Sequence, residues 1–332
     1  MNNILNFLFL ALILNACTVK NKPVQTSIID PVLITDSLYT SMPGNLMLCD
    51  DYLVWFDPFA VYDFLKVIDL KTGKQIAQTG NKGMGPLEFM TPTVHVSSAN
   101  NIMIADLNSK KLATLSIDNL VAGRNCMEFR DKTNFKRATR IVQIDDDRFL
   151  GLYPEKKQPF KVITKKHLIA FGKYPIVDPI SNGYNTYQGV LKYNREKELL
   201  VYSIFFYPYL AVYRKSGDVF ELKHEKTLVK PDYTISHGEM KIKDKMVLIS
   251  ELTLTKDYIV AAQKKEYKKR PKEQNLSEDI PKTLYVYDYK LNLVKIIDTK
   301  IPIMRLASNE KSNLVYAIAI NPEYCIVKID LE

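Results

Sequence analysis

The chain has 332 residues, 46% of them hydrophobic and 25% charged, which is enough apolar material for a large buried core and excludes a disordered or collagen-like protein. The formal net charge is +9, and +5 of it sits in one stretch, Lys264 to Lys272. The basicity is therefore local.

At the N-terminus, Ile4 to Leu14 form an apolar run broken only by Asn6. The run is too short for a spanning helix, which needs roughly 20 residues, and it reads as the h-region of a signal peptide. It ends in Leu14-Asn15-Ala16-Cys17, which resembles the bacterial lipobox, with small Ala16 before the cut and Cys17 as the thiol that receives diacylglycerol. The resemblance implies that residues 1–16 are removed and that Cys17 becomes a lipidated N-terminus. Each buried acyl methylene then contributes about 0.8 kcal/mol of membrane binding. An ordinary secretory signal and an uncleaved anchor are the alternatives. Thr18 rather than Asp follows the cysteine, which by resemblance to lipoprotein sorting rules favours the outer membrane, and the missing acidic cluster points to its periplasmic side. Residues 17–27 read as a polar tether, with a folded domain over 28–332. Cys49, Cys126 and Cys325 read as buried free thiols, with a Cys49–Cys325 disulfide as the alternative.

Two ladders then run through the chain. The first is a polar turn followed by an apolar strand, with first apolar positions at Leu53, Ile102, Phe149, Leu199, Met246 and Leu314. The second is an alternating strand that ends in a turn opened by Asp69, Asp118, Thr164, Arg214, Asp288 and Asp330. The spacings between the two are 16, 16, 15, 15, 42 and 16 residues. β-Branched and aromatic residues at period two, with Asp, Asn, Lys and Gly at the turns, predict antiparallel hairpins. Units of about 47 residues with four strands each predict an all-β chain, a six-bladed β-propeller. The last unit stops after its third strand, so the segment from Ser27 to Leu38 is predicted to supply the fourth and close the ring. The long fifth spacing predicts a basic insertion at about 263–282.

The stretch from Gly80 to Asp118 contains Gly83, Gly85, Pro86, Glu88 and Phe89. It resembles the NHL-type repeat and, more closely, the TolB-like six-bladed β-propeller lipoproteins, whose blades carry a glycine-rich turn before a strand; Leu87 stands where the family has glycine. The glycines are expected to take backbone angles closed to other residues, and Phe89 to be buried between blades. The resemblance implies the fold. Function has to come from a site.

In a propeller, the links between blades and those between second and third strands surround one mouth of the central channel. The predicted binding residues face that mouth. Arg140 and Arg305, near the starts of inner strands, suit a carboxylate or sulfate. Lys268 and Arg270, in the basic insertion, suit an anionic ligand or simply a solvated loop. An aromatic rim for a sugar or peptide is drawn from Phe59, Tyr62, Tyr184, Tyr187, Tyr207 and Tyr209, although most tyrosines are expected to pack between blades. His95 and His237 are the only weak metal candidates, too few for a three-ligand site. Asp145 to Asp147 reads as a hairpin turn. No cofactor is expected, and no G-x-S-x-G, H-E-x-x-H or P-loop motif occurs. The expected role is an envelope binding module for a glycan, a polyanion or a partner protein. A hydrolase or lyase with a metal in the channel is the alternative, and nucleic acid does not suit an envelope location.

Overall fold

A computed structural model describes residues 24–36, 38–130, 135, 137–164, 167–243, 245–267 and 279–332. The segment that contains Cys17, and Lys268 and Arg270, lie outside the described residues.

Two N-terminal strands, β1 (Gln25–Ile28) and β2 (Val32–Thr35), precede the ring. Blade one is β3 (Leu46–Cys49), β4 (Tyr52–Phe56), β5 (Leu65–Asp69) and β6 (Gln75–Thr79). Blade two is β7 (Pro92–Ser98), β8 (Asn101–Asp106), β9 (Lys111–Ser116) and β10 (Met127–Arg130), with the short helix α1 (Ile117–Val121) before its last strand. Blade three is β11 (Arg140–Gln143), β12 (Phe149–Leu152), β13 (Phe160–Ile163) and β14 (Leu168–Phe171). Helix α2 (Gly183–Tyr187) leads into blade four, made of β15 (Gly189–Asn194), β16 (Leu199–Ile204), β17 (Tyr209–Ser216) and β18 (Val219–Thr227). A separate hairpin, β19 (Tyr233–Ser236) and β20 (Glu239–Ile242), comes before blade five. Blade five holds β21 (Lys245–Leu254), β22 (Tyr258–Tyr267), β23 (Thr283–Asp288) and β24 (Leu293–Asp298), and blade six holds β25 (Ile303–Ala307), β26 (Leu314–Ile320) and β27 (Tyr324–Asp330).

Inner strands are short continuous apolar runs because blades cover both their faces. All four residues of β3 are buried, whereas the outer strand β6 is mostly exposed. Six apolar clusters fill the six seams between neighbouring blades, including the seam between blades six and one. The ring is closed. The largest aromatic seam, between blades three and four, centres on Phe160, whose ring lies 5.1 Å from Tyr202 and 5.3 Å from Tyr213. Much of the tyrosine content is spent there, in packing.

Closure follows the expected route. Strand β2 pairs antiparallel with β27 and completes blade six, with Leu33 opposite Val327. Strand β1 adds a fifth strand to blade five, parallel to β24. The turn of blade one also holds β2: the Thr35 hydroxyl donates to the Gly73 carbonyl. A Cβ on Gly73, whose φ is +67°, would fall 2.1 Å from the Ile34 carbonyl oxygen.

Blade five departs from the predicted register. Met246 lies in the innermost strand β21, and the second strand opens with Tyr258, paired with Asp288. Measured from Ile259, the internal spacing is 29 residues instead of 42. The long β21, together with the β19–β20 hairpin ahead of it, carries an apolar run after a polar turn, and so mimics a second strand. Part of the apparent insertion is therefore the inner strand β21 and the turn after it, and the β19–β20 hairpin is a separate addition between blades four and five.

Two further expectations change. Gly83 and Gly85 have no positive φ; a Cβ there would fall 2.0 and 2.9 Å from the Glu88 carboxylate, which accepts from the Gly85 N–H at 2.8 Å. These glycines make room for Glu88. Phe89 is fully buried and its ring lies 5.7 Å from Phe129 and 6.0 Å from Phe64. Cys49, Cys126 and Cys325 are free. Cys49 packs between blades one and two and Cys325 between blades five and six, so closure does not bring the two thiols together. Burial pushes the Cys49 thiol up to about 12, aided by Asp50 and Asp118, which keeps it protonated and inert.

Candidate functional site

Three connections on the mouth face lie side by side over blade one: residues 38–45, 57–63 and 81–91. Buried Asp57 ties the first two together, because its carboxylate accepts from the Thr40 hydroxyl at 3.1 Å and from the Phe59 and Ala60 N–H groups at 2.9 and 3.2 Å. The second and third are joined by the Lys82 N–H to the Val61 carbonyl at 2.7 Å and by the Lys82 ammonium to the Pro58 carbonyl. Asp106 of blade two accepts from the Met90 N–H at 2.5 Å and the Ser109 hydroxyl at 2.6 Å. Burial raises its pKa, but these hydrogen bonds outweigh it and hold the carboxyl below its usual value. The Lys111 ammonium reaches the Gly85 and Glu88 carbonyls. Polar groups are thus spent on fixing the loops, and apolar ones are left outside.

Tyr39, Met42, Phe59, Val61, Tyr62, Met84, Leu87 and Met90 are all exposed, Tyr39 at 91% and Met84 at 85%. They are eight of the nineteen exposed large apolar side chains among the described residues. Scattered single residues of this kind are ordinary, whereas these eight are concentrated on three adjoining, pinned loops.

A second feature is the channel itself, where a cavity of about 330 Å³ is lined by inner strands and by the first-to-second-strand hairpins of several blades. It opens towards the hairpin face, opposite the mouth. His95 of β7 and Lys192 of β15 face into it, with Arg195 and Glu310 near its hairpin end. The Arg195 N–H donates to the Glu310 carboxylate at 2.7 Å, and its guanidinium donates to the Gln143 carbonyl at 3.1 Å. Burial raises the Glu310 pKa against the opposing effect of Arg195. His95 is pushed down to about 3, first by burial and then by the positive charges of Lys192 and Arg140. It is a neutral imidazole at physiological pH. Since its unfolded value is near 6.5, the unfolded chain binds the extra proton, and the stability His95 contributes is complete above pH 6.5 and lost as pH falls towards 3. Between pH 6.5 and 4.5 this loss is on the order of 1–3 kcal/mol. His95→Gln is expected to remove that part of the acid sensitivity, measured as urea midpoints at the two pH values.

The sequence-predicted residues fall in several places. Arg140 opens β11, with its guanidinium 5.6 Å over the Phe205 ring and donating to the Thr139 carbonyl at 2.8 Å. Burial lowers its pKa, opposed by Glu251 and Tyr184. It also borders a shallow cavity on the mouth face with Tyr184 and Gln188. Arg305 donates to the Gly44 carbonyl at 3.1 Å and the Met304 carbonyl at 2.9 Å. Phe59, Tyr62 and Tyr184 are exposed, whereas Tyr187, Tyr207 and Tyr209 are buried. Tyr187 stacks on Tyr174 at 3.8 Å and Tyr207 meets Tyr233 edge to face at 5.8 Å. Pro208 does mark a loop, but the tyrosines around it turn into the seam. His237 occupies the β19–β20 turn with φ +53°, its ring 3.1 Å from the Ser236 hydroxyl, on a different element from His95. No group of three metal-ligating side chains comes together among the described residues. Asp145 closes a turn as expected, accepting from the Arg148 N–H at 3.0 Å.

Lys192, Arg195 and Glu310 were not among the predicted residues. A signal was present for Lys192, a charged residue in the middle of the innermost strand GVLKYN.

A closed ring of six blades, completed by its own N-terminal strand, with exposed apolar side chains on one face and a cavity along the axis, defines a six-bladed β-propeller. The chain belongs to the TolB-like 6-blade propeller-like family, whose model matches residues 23–309. Among solved structures it is similar to a member of the DUF4221 family from Bacteroides vulgatus, with 12% identity, a TM-score of 0.61, and coverage of 91% of this chain and 96% of that one. It is also similar to a protein from Bacteroides fragilis described as exported, with 13% identity, a TM-score of 0.57, and coverage of 89% and 87%. At such identities the likeness extends to the fold. No curated protein matches the sequence.

Proposed function

We propose that the chain is a cell-envelope binding module that holds a partner protein on the apolar patch of its mouth face and is tethered to the membrane by lipid on Cys17. The observation that carries this reading is the patch: eight large apolar side chains left in water on loops that buried Asp57 and Asp106 hold in place. A preordered apolar surface loses little entropy on docking, so its burial translates into affinity. Tyr and Met are residue types enriched at interface cores. Of the six aromatic residues behind the glycan alternative, Tyr187, Tyr207 and Tyr209 pack inside, while Phe59, Tyr62 and Tyr184 stay exposed; the polyanion alternative rests on Lys268 and Arg270, outside the described residues. The envelope location is supported by the lipobox-like Leu14 to Cys17 and by the similar protein described as exported. No described helix is long and apolar enough to cross a membrane.

One experiment tests both halves: fractionation and chemical crosslinking of intact cells that carry the full chain. Cys17→Ser is expected to move the protein out of the membrane fraction. Phe59→Ser with Tyr62→Ser is expected to leave it there while the crosslinked product falls at least fivefold. Retention of the crosslink in the double variant would remove the patch from the account, and unchanged fractionation of Cys17→Ser would remove the lipid.

A further inference from the structure

The axial cavity carries charges of both signs, and most of them are already answered. The Lys311 ammonium pairs with Asp50 at 2.6 Å. The Arg195 guanidinium donates to a carbonyl while its N–H holds Glu310. Lys192 is different. It lines the cavity from the middle of β15, half-buried, and has neither a hydrogen bond nor a carboxylate within 4.0 Å among the described residues. A half-buried ammonium without a partner is unfavourable, and a bound anion relieves it.

The surroundings select among anions. His95, facing Lys192, is neutral and offers one ring N–H and one ring acceptor rather than a second charge. Glu310 and Glu196 line the same cavity and repel a second negative charge. Apolar surface in the cavity comes chiefly from Val96, 40% exposed although it stands on an inner strand; Leu191, Leu254 and Leu306 border the cavity from the seams in which they are buried. Asn45 adds an amide that spends one of its two N–H donors on the Val94 carbonyl at 3.2 Å and keeps the other. A cavity of about 330 Å³ lies at the lower end of the small-molecule range. We infer that the axial cavity binds a small monocarboxylate with an apolar body, its carboxylate on the Lys192 ammonium and its body against Val96. This site is on the hairpin side of the channel and does not rest on the partner patch.

The test is isothermal titration calorimetry of the full chain in detergent with hexanoate and benzoate, each against its neutral alcohol, hexanol or benzyl alcohol, and against inorganic phosphate. The expected result is one site per chain for at least one of the two carboxylates, at least tenfold tighter than its alcohol and undisturbed by phosphate. Lys192→Met is expected to weaken that binding at least tenfold, and Lys192→Arg, which keeps the charge, to retain most of it. Thermal unfolding of each variant confirms that the fold persists; if Lys192→Met does not fold, Val96→Glu, which places a carboxylate against the ligand body, is expected to abolish binding instead. Phe59→Ser with Tyr62→Ser is expected to leave the affinity unchanged. Absence of binding by both carboxylates, equal binding of acid and alcohol, or unchanged affinity in both Lys192→Met and Val96→Glu would overturn the inference.

Discussion

Deleting residues 24–36 is expected to lower the thermal midpoint by about 10 °C or more and to make the protein self-associate. The deletion removes β1 and β2. Most of what they contribute is main-chain pairing, because Val32, Leu33 and Ile28 are exposed, while Ile29 and Ile34 pack against the seams next to blade six. At about 1 kcal/mol per net hydrogen bond, the β2–β27 and β1–β24 ladders are worth roughly 5 kcal/mol, a large share of a typical 5–15 kcal/mol stability. Without them β27 becomes a bare edge and blade six is left with three strands. Circular dichroism melting with size-exclusion chromatography reads both effects. A deleted chain that stays monomeric with an unchanged midpoint would show that the ring is held by its seams alone.

Phe160→Ala is expected to destabilise the protein by about 3–5 kcal/mol. Phe160 is fully buried and sits at the crossing of blades three and four, with Phe171, Tyr202 and Tyr213 all within 5.3 Å between ring centroids. The blades are rigid sheets and close poorly around the space left by a ring, so the cavity term adds to the lost transfer energy. The Tyr202 hydroxyl donates to the Tyr187 carbonyl at 2.5 Å, which fixes α2 to the same seam, so the loss should reach the entry to blade four. Urea denaturation measures the change. A loss under about 1 kcal/mol would mean that the seam repacks.

The fold was readable because a propeller repeats its chemistry: a polar turn followed by an apolar strand recurs once per blade, and five of the six units keep their spacing. Blade five misled because Met246 follows a polar turn on an inner strand that is ten residues long, and periodicity alone does not distinguish a first strand from a second. The aromatic rim divided for a similar reason. Tyr207 and Phe59 both stand in loops after second strands, but the tyrosine has a seam to fill and the phenylalanine does not. The GNKGMGPLEF stretch pointed to the family, but nothing in it signalled that Met84 and Leu87 would be left exposed. The axial cavity was the hardest to foresee: Lys192, His95, Arg195 and Glu310 come from three blades and from hairpins far apart in the chain. Only ring closure makes them neighbours.

We propose that the mouth face, over blade one, is where the protein meets its partner. The most direct measurement is photocrosslinking in intact cells with a photoreactive amino acid placed at Tyr62, in the patch, and separately at Lys290, an exposed turn residue on the opposite face. A discrete crosslinked species is expected from position 62 and none from position 290. Equal crosslinking from both positions, or none from position 62, would contradict it.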